Sequence, residues 1–163
     1  SARAASALMK NFNISAEEAY GLIATGAQNG ADKNGDLLDT LNEYSAQFAA
    51  IGLSADQFMG SLVEGADAGL FSIDKVADAV KEFNIRAKDG SDSSAEAFKG
   101  LGLNSDKMFA AFAAGGETAQ AAFFDTVEAL NKLEDPLKRN EIGVALFGSQ
   151  FEDLEAGILP EPL

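Results

Sequence analysis

Apolar residues recur at every third or fourth position along most of the sequence, and this spacing limits what the chain can fold into. One such series consists of Ile73, Val76, Ala77, Val80 and Phe83. A period of 3.6 residues places such side chains on one face of an α-helix, which must then be buried against other elements. The sequence therefore predicts an all-α protein in which each helix buries one apolar face.

Capping residues divide this pattern into short helices. Ser15 and Glu18 have the spacing of a capping box. Asp135-Pro136 places a proline in a first helical turn, and Gly30 and Gly69 are typical of the residue that follows a helix. The predicted helices lie near residues 2–11, 15–29, 36–51, 54–68, 72–83, 94–101, 104–114, 117–133, 136–147 and 149–156.

The sequence also repeats itself when it is shifted by 39 residues, and a further shift of 50 residues gives a weaker third copy. The predicted units cover residues 14–52, 53–90 and 103–134, and C-terminal helices follow in residues 136–156. The first two copies share pairs that include Gly26 with Gly65, Gly30 with Gly69, and Asp39 with Asp78. Each unit is interpreted as a helical hairpin.

A pair of helices cannot bury its apolar faces alone, so neighbouring hairpins are expected to stack. The sequence thus predicts one all-helical domain over residues 1–163, a compact bundle or short solenoid of hairpins. Four glycines fall inside predicted helices: Gly21, Gly26, Gly60 and Gly65. Each costs about 1 kcal/mol relative to alanine, which we expect close helix packing to offset. A backbone that contacts a ligand is the alternative.

The charge and residue types exclude several classes of function. With 12 basic and 26 acidic residues the formal net charge is −14, which disfavours binding to nucleic acids and anionic lipids. The chain contains no His and no Cys, so thiolate zinc sites and Ser-His-Asp triads are excluded. Membrane contact is not expected, because the longest apolar stretch, residues 108–116, is too short to span a bilayer. We expect the chain to be a segment of a longer protein.

Three patterns in the sequence are candidates for ligand sites. Asp32, Asn34, Asp36, Thr40 and Glu43 approach the spacing of a calcium-binding loop, but Leu37 occupies the position that requires glycine. A polar turn ending in an N-terminal anchor at Asp36 is predicted instead. Two carboxylate pairs, residues 17–18 and 152–153, are interpreted as solvated helix ends. The segment between Gly143 and Gly148 lacks the lysine of a phosphate loop and is interpreted as a helix end. No metal or cofactor is predicted.

A phenylalanine-rich segment leaves three interpretations open. It contains Phe109, Phe112, Phe123 and Phe124. Such side chains are typical of a buried core, and one alternative is an apolar surface for a protein partner. Contact with a membrane surface is a further alternative, which the acidic charge of the chain disfavours.

Several segments resemble the tail tape measure proteins of long-tailed phages. They are GAQNG at 26–30, NGDLLDTLNEY at 34–44 and VADAVKEFNIR at 76–86, and later DP at 135–136, GVALFG at 143–148 and FEDL at 151–154. The resemblance runs in order from Phe12 to Leu154. It implies a structural protein of the virion, made in the host cytoplasm, that occupies the tail tube, sets tail length and leaves ahead of the genome. The implied partners are tail tube and tail assembly proteins and other copies of the chain.

The capped hairpins would make a poor ruler, because a continuous helix supplies about 1.5 Å per residue. A folded domain of the tape measure protein is therefore expected rather than the tape itself. Because a stacked domain is bulky, we expect it to extend for packing into the tube and to refold after ejection. Two alternatives remain: an interaction module unrelated to phages that binds a partner through an apolar surface, and an enzyme fragment.

Overall fold

Polar caps divide the chain into helices of 4 to 16 residues. The computed structural model describes residues 1–67 and 73–154. The helices are α1 (Ala2–Phe12), α2 (Ala16–Gln28), α3 (Leu37–Ala50), α4 (Ala55–Asp67), α5 (Asp74–Arg86), α6 (Asp92–Gly100), α7 (Ser105–Ala114), α8 (Gly116–Asn131), α9 (Pro136–Phe147) and α10 (Phe151–Leu154). The described residues form no strand, so the all-α prediction is confirmed.

The capping box at the start of α2 is confirmed. The Glu18 N–H donates to the Ser15 hydroxyl at 3.1 Å, and the Ser15 N–H donates to the Glu18 carboxylate at 3.2 Å. Residues 54 and 57 repeat this exchange at the start of α4, with distances of 3.1 and 2.8 Å. Because each box satisfies two N–H groups that lack helical partners, it fixes where the helix begins.

The helices pack into a bundle with a recognisable order. Helices α1, α3, α5 and α9 follow one another side by side, α2 packs on α1 and α4, and α6 and α10 pack on α9. Corresponding helices of the first two predicted units contact each other, since α2 packs on α4 and α3 on α5. The third unit does not continue this order, because α5 packs next to α9. The 39-residue repeat therefore stays a prediction.

Phenylalanine rings join these helices into one hydrophobic core. Phe83 of α5 is fully buried and lies 5.1 Å from Phe112, 5.2 Å from Phe123 and 4.8 Å from Phe147, measured between ring centroids. These distances fall within the range at which aromatic pairs attract one another. One side chain of α5 thereby links α7, α8 and α9.

Only some of the mid-helix glycines lie at close helix contacts. A Cβ atom at Gly26 would overlap the sulfur of Met59, and one at Gly143 would overlap the ring of Phe151. At Gly21 and Gly60 a Cβ atom would meet no atom of the described residues within 4 Å, so the packing expectation is wrong for these two positions. Both are exposed, and their neighbours require no glycine.

Gly52 follows α3, and its lack of a side chain lets α8 pack close to the corner between α3 and α4. Its φ is +83°, and a Cβ atom would lie 2.6 Å from the Gln120 backbone nitrogen and still closer to the Gly116 carbonyl oxygen. The Gln120 side-chain amide donates to Gln57 at 2.9 Å across the same contact. The first turn of α8 is thus seated directly on the corner between α3 and α4.

Candidate functional site

The phenylalanines considered as a partner surface belong largely to the core. Phe112 and Phe123 are fully buried, and Phe109 and Phe124 are partly buried against the core. The Phe98 ring covers Phe109 at 5.7 Å between centroids. The prediction of a partner surface is therefore wrong for Phe112 and Phe123, because both rings are buried in the core between packed helices.

The glycines singled out from the sequence lie at helix ends and at packing contacts. Gly30 has φ +95° and follows α2, while Gly148 has φ +80° and ends α9. Gly65 is buried within α4, and Gly69 lies outside the described residues. Such placements support folding and bring no reactive group together.

Asp39 and Asp78, which the sequence repeat pairs with each other, lie on neighbouring helices of the bundle. Asp39 is exposed on α3 and Asp78 is half-buried on α5. Burial, together with the negative charges of Glu43, Asp78 and Asp74, raises the pKa of Tyr44 to about 12. A phenol with so high a pKa stays protonated at neutral pH, so it offers no base for catalysis.

The remaining pair, Asp135-Pro136, starts α9. The Asp135 carboxylate accepts a hydrogen bond from the Leu137 N–H at 3.0 Å, and Pro136 stands at the first helical position. A proline is tolerated there because its missing N–H would have no helical partner. The predicted helix start is confirmed.

The turn considered for calcium serves to start α3. Asp36 stands at the N-cap position of α3 as predicted, although its side chain makes no capping hydrogen bond. The Leu37 N–H donates instead to the Asp32 carboxylate at 3.2 Å. Thr40 donates to Asp74 of α5 at 2.7 Å. Within residues 1–67 and 73–154, no group of three or more acidic side chains is placed to hold a metal ion.

Two surface grooves at opposite ends of the helix order differ in charge. The first, of about 460 Å³, lies along α1 and is lined by Arg3, Lys10 and Asn42 among others. The second, of about 530 Å³, lies between α6 and α9. Its charged lining consists of Asp92, Glu96, Glu141 and Lys138. Neither groove was predicted from the sequence, although the first thirteen residues contain no acidic residue and this already indicated a basic α1.

In the described part of the chain, no helix is both long and apolar enough to cross a lipid bilayer.

The sequence was compared with known protein families over the helices described above. Residues 1–148 match the family described as phage-related minor tail protein. The chain belongs to this family. The match ends at Gly148, the residue that terminates α9, so the family region coincides with α1 to α9.

Two relatives are similar to this protein over most of the chain. A probable tape measure protein of Streptomyces phage phiC31 is 43% identical over 144 residues, which cover 88% of this chain and 20% of the relative. The uncharacterized protein YqbO of Bacillus subtilis strain 168 is 38% identical over 159 residues, covering 96% of this chain and 10% of the relative. The chain thus spans a small part of each relative's length.

No solved structure matches this chain. The family membership confirms the resemblance drawn from the sequence and supports a structural role in a phage tail, with a place in the virion. It also sets aside the alternative of an interaction module unrelated to phages.

Proposed function

We propose that the chain is a folded segment of a tail tape measure protein, and that this longer protein acts in tail assembly, in setting tail length and in genome delivery. The observation that carries the proposal is the 43% identity to the probable tape measure protein of phage phiC31. The partners of the segment are tail tube and assembly proteins. Its role is structural rather than enzymatic, in keeping with a chain that lacks His and Cys.

The architecture supports a folded segment rather than the ruler itself. A ruler of continuous helix would extend 144 matched residues over about 220 Å, at about 1.5 Å per residue. In the bundle the longest helix has 16 residues, and Phe83 ties three other helices to α5. The segment therefore occupies a compact volume and adds little to a length measured along the tube.

An in-frame deletion in a phage relative tests this role. We would remove the matched 144 residues from the tape measure protein of phage phiC31 and measure tail length by electron microscopy. The expected result is loss of tail assembly or of infection, with the length of any completed tails nearly unchanged. As a control, 144 residues from a predicted continuous helix of the same protein would be deleted. That control should shorten tails by about 220 Å. Equal shortening by both deletions would contradict the proposal.

The bundle is also proposed to extend when the protein is packed into the tube, at a stage after tail length has been set, and to refold after release. Natural domains of this kind unfold at a cost of about 5 to 15 kcal/mol, which assembly contacts can supply. Chemical denaturation of the chain measures this cost. A free energy of unfolding far above about 15 kcal/mol, or cryo-electron microscopy density for the intact bundle inside the tube, would argue against extension.

A further inference from the structure

The outer face of α1 is exposed and basic. The residues on this face are Ala2, Arg3, Ser6, Met9 and Lys10, all exposed. The opposite face buries Ala4, Ala5 and Leu8 against the core. The first thirteen residues contain two basic side chains and no acidic one, although the chain as a whole has a formal net charge of −14. This face therefore has a charge opposite to that of the rest of the molecule.

The groove between α6 and α9 lies at the other end of the helix order and has the complementary character. Its floor consists of Ala97, Gly100, Ile142 and Ala145. Small side chains keep this floor shallow, because Gly100 allows the Ile142 side chain to come close. The exposed carboxylates of Glu96 and Glu141 stand on its two sides. The groove can accept a helix that presents small residues and positive charges.

An apolar anchor stands beside this groove. Leu137 is 83% exposed and precedes Glu141 by four residues on α9, so the two side chains share one helix face. On α1 the exposed Met9 is adjacent in sequence to Lys10, and the two side chains lie about 100° apart around the helix. The groove lining contains three carboxylates and Lys138, so its net charge is negative, whereas the α1 face carries two positive charges.

From these observations we propose that the α6–α9 groove of one copy binds the outer face of α1 of a second copy, so that copies associate head to tail. The surface on one copy differs from the surface on the other, and such a heterologous contact forms open chains or rings rather than closed dimers. Helix α1 has 11 residues and is about 16 Å long, so the contact is small and belongs to the weak class. Because self-association is measured on the chain itself, the proposal does not depend on the role in the tail.

The average mass in solution tests the proposal directly. Sedimentation equilibrium would be recorded on the 163-residue chain from about 10 μM to about 1 mM. At about 150 mM salt, where a Debye length of about 8 Å screens the repulsion between copies that each carry a formal net charge of −14, we expect the average mass to rise more than twofold above 17.0 kDa without reaching a plateau. The rise should diminish at about 1 M salt, where a Debye length of about 3 Å also screens the charges at the contact. A mass that stays at 17.0 kDa, or that stops at twice this value, overturns the proposal.

Charge reversal at either end identifies the surfaces. The double variants R3E/K10E and E96K/E141K should each remain monomeric, whereas their equimolar mixture should regain association, because each supplies the charge that the other lacks. The control K107E/K132E changes the net charge as much as R3E/K10E but alters positions outside both surfaces, and it should associate like the parent chain. Association that survives both reversals, or a mixture that stays monomeric, overturns the proposal. Circular dichroism melts verify that each variant is folded.

A milder variant tests the geometry without reversing any charge. The chain has no cysteine, so Ser6→Cys with Ser93→Cys places one thiol on the α1 face and one on the groove. Mild oxidation should produce a ladder of trimers and longer species. Ser6→Cys with Thr25→Cys, which moves the second thiol to exposed α2, should give at least fivefold less of these species. Equal ladders from both variants contradict a head-to-tail contact.

Discussion

At the residue scale, the clearest demand on sequence comes from Gly52. Gly52 and Gly102 both follow helices with positive φ, +83° and +79°, but only Gly52 touches another part of the chain. Gly102→Ala should cost about 1 to 2 kcal/mol from left-handed backbone strain alone. Gly52→Ala should cost at least about 2 kcal/mol more, because the new Cβ atom meets the backbone of α8. Urea denaturation of both variants measures the difference, and equal losses would rule out the contact.

The stability of the fold depends on pH through the carboxylate of Asp89. Burial raises its pKa, but hydrogen bonds from Ser91 and Ser94 and the charge of Arg86 lower it on balance. A lowered pKa means that the carboxylate stabilises the fold above its unfolded pKa of about 3.9, and that this stability is lost as the pH falls through the folded pKa. Because Asp89 is exposed, the effect is small.

The variant Asp89→Asn should therefore unfold with a free energy lower than that of the parent chain by less than about 1 kcal/mol at neutral pH. The difference should shrink as the pH falls from about 4 towards 2. Urea melts across this range provide the measurement. A constant difference at all pH values would show that the carboxylate charge has no part in it.

At the scale of helices, Arg86 of α5 closes the end of α9. Its guanidinium donates to the Val144 carbonyl at 3.0 Å and to the Ala145 carbonyl at 3.2 Å. Both carbonyls lie in the last turn of α9, and the Val144 carbonyl also accepts the Gly148 N–H at 2.9 Å. Arg86→Met retains the apolar stem but removes both bonds, and it should cost about 1.5 to 3 kcal/mol. Hydrogen exchange should quicken at the end of α9.

The matched control removes the other partner of Arg86. Glu82 lies 3.8 Å from the guanidinium in a pair that is about one third exposed. Glu82→Gln should cost less than about 1 kcal/mol, because water screens the pair. If both variants lost the same stability, the ion pair rather than the helix end would explain the role of Arg86.

Helix boundaries were predictable because their determinants are local. Ser15 and Glu18 form their capping box within one turn, so the sequence alone reveals where α2 begins. The order of packing was not predictable, since an apolar face does not specify its partner. Gly26 and Gly60 occupy similar predicted contexts, yet only Gly26 lies beneath a side chain, Met59, of another helix. That distinction arises when the helices meet.

The surfaces show the same limit. The basic character of α1 follows from adjacent sequence, whereas the acidic groove combines Glu96 and Glu141 from two distant segments. No spacing rule connects those segments, so the groove appears only in three dimensions. Phe112 and Phe123 illustrate the reverse case, because helical periodicity favours both a core and a partner surface and only the packing decides between them.

At the scale of the whole molecule, the single core predicts cooperative unfolding. Phe83 contacts rings from three other helices, so Phe83→Ala should cost about 3 to 5 kcal/mol, a large part of the total stability. Leu137→Ala removes a side chain that is 83% exposed and should change stability by about 0.5 kcal/mol or less. For each variant, unfolding followed by circular dichroism and unfolding followed by aromatic absorbance should have the same midpoint. Two separate transitions in the parent chain would show that the core is divided.

The seat of α8 on the Gly52 corner has a consequence for synthesis of the protein. The hydrogen bond across it joins side chains 63 residues apart in sequence. As the chain leaves the ribosome, α3 and α4 emerge well before α8, and their shared corner stays uncovered until α8 arrives. Synthesis at about 5 to 20 residues per second makes this interval several seconds, which is far longer than the formation of each helix. The nascent first half therefore presents an unfinished surface to the ribosome and its chaperones, and translation speed between these helices sets how long that surface is open.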